Sequence, residues 1–287
     1  MKKTILLFIL IIVIVLLSCT KQSKQDFSSN KFWQDDYFVQ TNVVTPTKSD
    51  SLIEAKIDGN WKCFSLRIFP EKFMKWNVEE RTKTIETIEN MFSNPEKNMQ
   101  QPRLAGPHNG IVSSYGFKRD DSEFKLNNAV KGMGFLPKRS KIDSIINLLE
   151  TTDDDPIMDK LTILKSFYKN ADELFDMDKQ VSLELYTTPK WETQSFLNQM
   201  QHPVSTIVFL DIPSYKLKTI VRLLDPNNPN LTEYEKKVVD YTNLVHSYFH
   251  GKFSKIFPTV IYYVIEIYDN SPGSSDAIGH RIVPPLP

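Results

Sequence analysis

The feature that most constrains this sequence is the order of its periodicities between residues 181 and 268. Residues 181–188 alternate, with Val181, Leu183 and Leu185 against Ser182, Glu184 and Tyr186, the mark of a half-buried strand. A helical stretch follows at 190–200. Two strand-like runs, 204–212 and 217–224, are joined by Pro213-Ser214-Tyr215-Lys216. Thr232-Glu233-Tyr234-Glu235 reads as a capping box, in which hydroxyl and carboxylate each satisfy a backbone N–H left free by the first helical turn. It opens a helix striped by Tyr234, Val238, Tyr241, Val245 and Tyr248, with Gly251 near its end. Residues 259–268 form a last strand. The resulting β-α-β-β-α-β order is that of a ferredoxin-like unit. In that arrangement the second and fourth strands are edges. Here Ile207, Phe209, Ile261, Tyr263 and Ile265 make both of them apolar on two faces, and an exposed apolar edge is a liability. Either another element covers them or the strand order differs.

The preceding half is less regular. A strand is expected over 60–69, with Phe64, Leu66 and Ile68 on one face and Pro70 ending it. Asn77, with Glu80 three residues on, is expected to cap a helix through 92. Prolines and glycines make 93–110 irregular. Two strands, 111–117 and 124–135, flank a turn at Arg119-Asp120-Asp121-Ser122. Ile142, Ile145, Ile146 and Leu149 mark a short helix, and Asp155-Pro156 is expected to open another through Lys169. Together these describe an α+β fold, an antiparallel or mixed sheet with helices packed on it. It divides into halves at 31–170 and 171–270, and the β-α-β-β-α-α order of the first half leaves open a duplicated unit sharing one sheet.

At the N-terminus, Lys2 and Lys3 precede an unbroken apolar run over 5–17, then Ser18 and Cys19. The run fits a secretory h-region of about 7–15 residues and falls short of the roughly 20 that span a bilayer. Leu16-Leu17-Ser18-Cys19 resembles the lipobox of bacterial lipoproteins. That resemblance implies that residues 1–18 are a signal peptide and that Cys19 carries a diacylglyceryl group on sulfur. It further implies a palmitate-type chain on the new N-terminus and a folded part held outside the cytoplasm, on a membrane of the bacterial cell envelope. Polar residues 20–30 read as a flexible tether, averaging roughly 18 Å end to end. Phe32, Trp33, Tyr37, Phe38 and Val39 are too apolar for a linker and are expected to dock on the domain. Residues 271–287 form a proline-rich tail, read as an extended segment open to a partner or packed along the surface.

Lysine plus arginine and aspartate plus glutamate are equal at 35 each, which argues against a nucleic-acid partner and against electrostatic attachment to a membrane. Of the two cysteines, Cys19 is the expected lipidation site. Cys63 then has no partner for a disulfide and reads as a small buried hydrophobe in an apolar strand.

Sites of chemistry are sparse. His246 and His250 stand four apart, on one face of the capped helix. Zinc needs three or four ligands, and position 247 is Ser where the HExxH motif has Glu, so the pair is a weak metal candidate. Gly132-Met133-Gly134 lacks the third glycine of a phosphate loop and reads as a bulge or tight turn. Asp153-Asp154-Asp155 lacks the spacing of a calcium loop and reads as helix capping. His108 with Ser113 and Ser114 does not form a nucleophile elbow. Asn230-Leu231-Thr232 fits a glycosylation sequon but reads as the lead into the helix, and Tyr234, Tyr241 and Tyr248 read as core. No catalytic residue or cofactor is assigned. The sequence favours a lipid-anchored envelope protein of non-catalytic type, with a protein partner or a role in assembling an envelope complex. Two alternatives stand: an envelope hydrolase or metal-dependent enzyme using His246 and His250, and a small-ligand binding lipoprotein.

Overall fold

The computed structural model describes residues 32–45, 51–93, 105–273 and 279–285. The expected signal segment (1–18), Cys19 and the expected tether (20–30) lie outside them, as do much of the irregular 93–110 segment and part of the tail. In chain order the elements are β1 (Trp33–Gln34), β2 (Tyr37–Phe38), β3 (Val43–Val44), β4 (Leu52–Ile57), β5 (Asn60–Ser65), α1 (Glu71–Ser93), β6 (Asn109–Tyr115), β7 (Leu126–Gly132) and β8 (Gly134–Pro137). There follow α2 (Ile142–Thr151), α3 (Ile157–Lys169), α4 (Ala171–Leu174), β9 (Phe175–Leu183), α5 (Gln194–Gln201), β10 (Val204–Phe209), β11 (Tyr215–Leu224), α6 (Glu233–His250), β12 (Thr259–Asp269) and β13 (His280–Val283).

The fold is α+β. Its main sheet runs β7-β6-β10-β11-β12-β9-β8, with β13 also on β12, and is curled into a half-barrel. Every pairing in it is antiparallel. A three-stranded sheet, β3-β4-β5, and the β1–β2 hairpin stand apart from it.

The β-α-β-β-α-β order of the second half is present, but its pairing is not ferredoxin-like. Here α6 joins β11 to β12, which are direct neighbours, and β12 lies inside the sheet instead of at its edge. The apolar patterning is the reason. Ile261 and Tyr263 on one face of β12, and Val260, Tyr262 and Val264 on the other, are all buried, which only a covered strand allows. Likewise β10 is flanked by β6 and β11, so Ile207 and Phe209 are fully enclosed. First-half strands supply both ends of this sheet, β6 and β7 at one and β8 at the other.

The expected 124–135 strand is broken at Met133. Its first part pairs with β6 and its second with β9, so one stretch of chain closes one end of the curl. The expected 60–69 strand is likewise divided. Residues 60–65 pair with β4, whereas the Arg67 N–H donates to the Val264 carbonyl at 2.9 Å and the Phe69 N–H to Met177 at 2.7 Å.

Three further expectations are corrected. Helix α1 begins at Glu71, directly after Pro70, whose carbonyl accepts from the Met74 N–H at 3.1 Å. Asn77 is therefore an interior residue and not a cap. Pro156 precedes α3 with no side-chain cap, so Asp155 does not serve as one. Cys63 is exposed, because β5 turns nearly all of its residues to solvent. Part of the proline-rich tail is the strand β13 on β12. The N-terminal aromatics dock as expected: Phe38 is buried, 4.9 Å from the Phe196 ring centroid.

Candidate functional site

The capping box on α6 is formed as read. Thr232 Oγ1 accepts from the Glu235 N–H at 3.2 Å, and Glu235 Oε2 accepts from the Thr232 N–H at 2.9 Å. The helix so started buries Tyr241 and Tyr248 and carries His246 and His250 in its last turns. Tyr241 donates to the Phe135 carbonyl, and the Tyr248 hydroxyl bonds Thr152, so the tyrosine stripe is core. The His246 Nδ1–H is spent on the Thr242 carbonyl at 2.7 Å, which leaves Nε2 unprotonated beside Gly132. Burial holds the His246 pKa down, and His250 adds to this.

A third histidine joins this corner. His108 leads into β6, and its Nδ1 lies 3.2 Å from Nη1 of Arg81. A guanidinium can only donate, so Nδ1 accepts and the proton sits on Nε2. That Nε2–H is buried without a hydrogen-bond partner. Burial, then Arg81, then His250 push the His108 pKa down to about 3. A protonated Nε2 is no metal ligand. Among the described residues, no group of three His, Cys, Asp or Glu is placed to hold a metal ion. Nor does His108 reach a serine. Ser113 donates to Asn128 Oδ1 at 2.6 Å, and Ser114 Oγ accepts from Asn198 Nδ2.

The centre of this corner is Arg81, which periodicity did not single out. It is 2% exposed and donates to Asn77 Oδ1, Pro107 O and Met133 O at 2.6, 2.7 and 2.8 Å. It also stacks over the rings of Phe135 and Tyr168. Its bonds to carbonyls from two loops fix the bend at Gly132-Met133-Gly134, so that motif is the closing corner of the sheet. The Met133 N–H completes it by donating to the His108 carbonyl at 2.8 Å.

No protein-family model matches this chain, and no curated protein matches it.

In the remaining acidic motif, two of the three aspartates pair with lysines. Asp153 pairs with Lys160 at 3.4 Å and with Lys252 at 3.2 Å, and Asp154 also pairs with Lys252. An open cavity of about 400 Å³ lies beside it, lined by Asp153, Asn243, Ser247, Lys252, Phe253 and Ile256. A second polar constellation lies inside the curl. Glu184, fully buried, accepts from Lys131 at 2.5 Å, Thr193 at 2.9 Å and Thr187 at 3.2 Å. Both of its carboxylate oxygens serve to hold the chain together.

The surface offers one arrangement of a different kind. β7 ends the main sheet, and no strand pairs with its second side among the described residues. Its outward residues Leu126 and Val130 are 60% and 65% exposed and stand opposite Tyr115 and Ile111 of β6. Protected edges carry charges, prolines or bulges, whereas this outer face is apolar around a single Asn128. Among the described residues, no helix is long and apolar enough to cross a membrane.

Proposed function

We propose that this chain is a lipid-anchored protein of the bacterial cell envelope, held there through Cys19, that binds a protein partner and supports assembly of an envelope complex without catalysing a reaction. The observation that carries the partner is the open edge of β7, with Leu126 and Val130 exposed on its outer face. A strand with unpaired backbone groups can take up an extended segment of another chain, the backbone giving affinity and alternate side chains giving specificity. The lipobox-like Leu16-Leu17-Ser18-Cys19 supports the anchor. The test is cross-linking in native membranes followed by purification of the tagged, lipidated chain. One envelope protein at comparable abundance is expected, and a lone chain would contradict the reading.

A small-ligand role is the second reading, favoured by the open cavity beside Asn243 and Ser247. Thermal-shift screening of metabolites tests it, with Ser247→Trp as the variant that fills the space.

A further inference from the structure

The chain enters the described structure at one end of the main sheet. The Phe32 ring lies 6.5 Å from Phe117 and 6.4 Å from Phe196, and Trp33 Nε1 donates to Glu192 at 2.7 Å. At this same end, two large apolar side chains face solvent. Phe124 is 75% exposed, and Trp191 is 53% exposed beneath the guanidinium of Arg119. The turn presenting Phe124 is held in shape. Ser122 Oγ bonds both the N–H and the carbonyl of Phe124, and Arg119 bonds Asp121 through both of its forks. Arg119 also donates to the Glu192 carbonyl, which ties the Phe124 turn to the Trp191 segment and to the chain entry.

We infer that this end of the half-barrel, presenting Phe124 and Trp191, rests on the lipid bilayer. The inference builds on the lipid-anchor reading and adds an orientation to it. The position of the entry point decides the occupant. Twelve residues, 20–31, separate Cys19 from Phe32. A polar chain of that length averages roughly 20 Å end to end, so the acyl chains and Phe32 stay close. Ile212, 78% exposed, lies by contrast beyond the far end of β10. Six residues of strand set it about 20 Å further from the entry, at roughly 3.4 Å per residue. The anchor therefore holds the Phe124 end against the surface at an effective concentration of about millimolar, where contacts too weak to bind alone are made. Tryptophan suits this depth because its ring is apolar while its N–H stays wet.

Charge at the patch is balanced. Lys118 pairs with Glu123 at 3.6 Å and Arg119 with Asp121 at 2.8 Å, so the contact is apolar and does not require anionic lipid. With this end on the bilayer, β7 leads away from the surface and its open edge faces sideways, toward a neighbour in the same membrane.

The experiment uses the full lipidated chain with Cys63→Ser, labelled with a fluorophore at Glu123→Cys or, separately, at Ile212→Cys. Each is placed in phosphatidylethanolamine–phosphatidylglycerol vesicles carrying nitroxide-labelled acyl chains. Flotation with the vesicles and quenching several-fold stronger at position 123 than at 212, unchanged by high salt, is the expected result. Flotation with equal or reversed quenching would overturn the orientation while leaving the anchor in place. Disulfide formation between two unlabelled Glu123→Cys copies, with no quenching of the labelled chain, would assign the patch to a second copy instead. Failure to float would remove the anchor, and the inference with it.

Discussion

Lys131 Nζ lies 2.5 Å from Glu184 Oε2 and ties β7 to the end of β9 across the closing side of the half-barrel. Glu184 is fully buried and Lys131 nearly so, and the acid is completed by two threonine hydroxyls. A buried pair loses most when one member is removed, because the other is left charged and unpaired. Glu184→Ala is expected to lower unfolding free energy by about 3–5 kcal/mol. The Lys131→Met/Glu184→Met double variant should lose clearly less. Urea denaturation of the set decides it. Equal losses in single and double variants would mean that the pair is not the clamp described.

Arg81 holds four acceptors from Asn77, His108, Pro107 and Met133. Lysine keeps the charge but not the planar fork. Arg81→Lys should therefore cost about 3 kcal/mol, the scale of one or two hydrogen bonds to a charged group. A loss below about 0.5 kcal/mol, typical of a surface site, would remove Arg81 from its central place.

Acid sensitivity follows from His108. Its pKa falls from the ordinary 6.5 to about 3 in the folded protein. Between those values the unfolded chain binds a proton that the folded chain does not, so stability declines as pH drops through this window. His246 is shifted in the same direction and adds to the effect. Unfolding free energies at a series of pH values should fall toward acid, and His108→Gln should flatten the slope. An unchanged slope would show that the imidazole is protonated without cost.

Thr232→Ala removes the cap of α6 and should cost about 1 kcal/mol. The carboxylate of Glu235 would keep its contacts to Arg222 and Thr45, so the helix should persist by circular dichroism.

The fold was legible where one local rule decided the outcome. The capping box, the strand after Pro203 and the apolar character of the strand at 259–268 followed directly from the residues. The pairing order did not, because β12 and β10 announce that they are covered without naming what covers them. The early start of β9 was hidden by Asp176, Asp178 and Lys179, which break the alternation. Lys179 is buried only because both acids bond its ammonium, at 3.1 and 2.7 Å. Helix α1 was read late because Asn77 resembles a cap, while its amide actually accepts from Arg81 one turn on. The histidine pair on α6 was visible as a pair. Its third neighbour, His108, arrives through tertiary structure from a distant loop, and so does the buried Arg81. Val130 carried no signal, since an apolar residue in an alternating strand reads the same on a covered or an open edge.

A photo-reactive amino acid at position 130 tests partner binding most directly. The lipidated chain carrying it in place of Val130 would be irradiated in native envelopes and its adducts identified by mass spectrometry. A second chain would carry the same group at Ile212, past the end of β10 and two strands in from the β7 edge. One dominant envelope protein joined through position 130, and not through 212, is the expected result. Equal labelling at both positions, or no adduct at 130, would contradict a docking edge on β7.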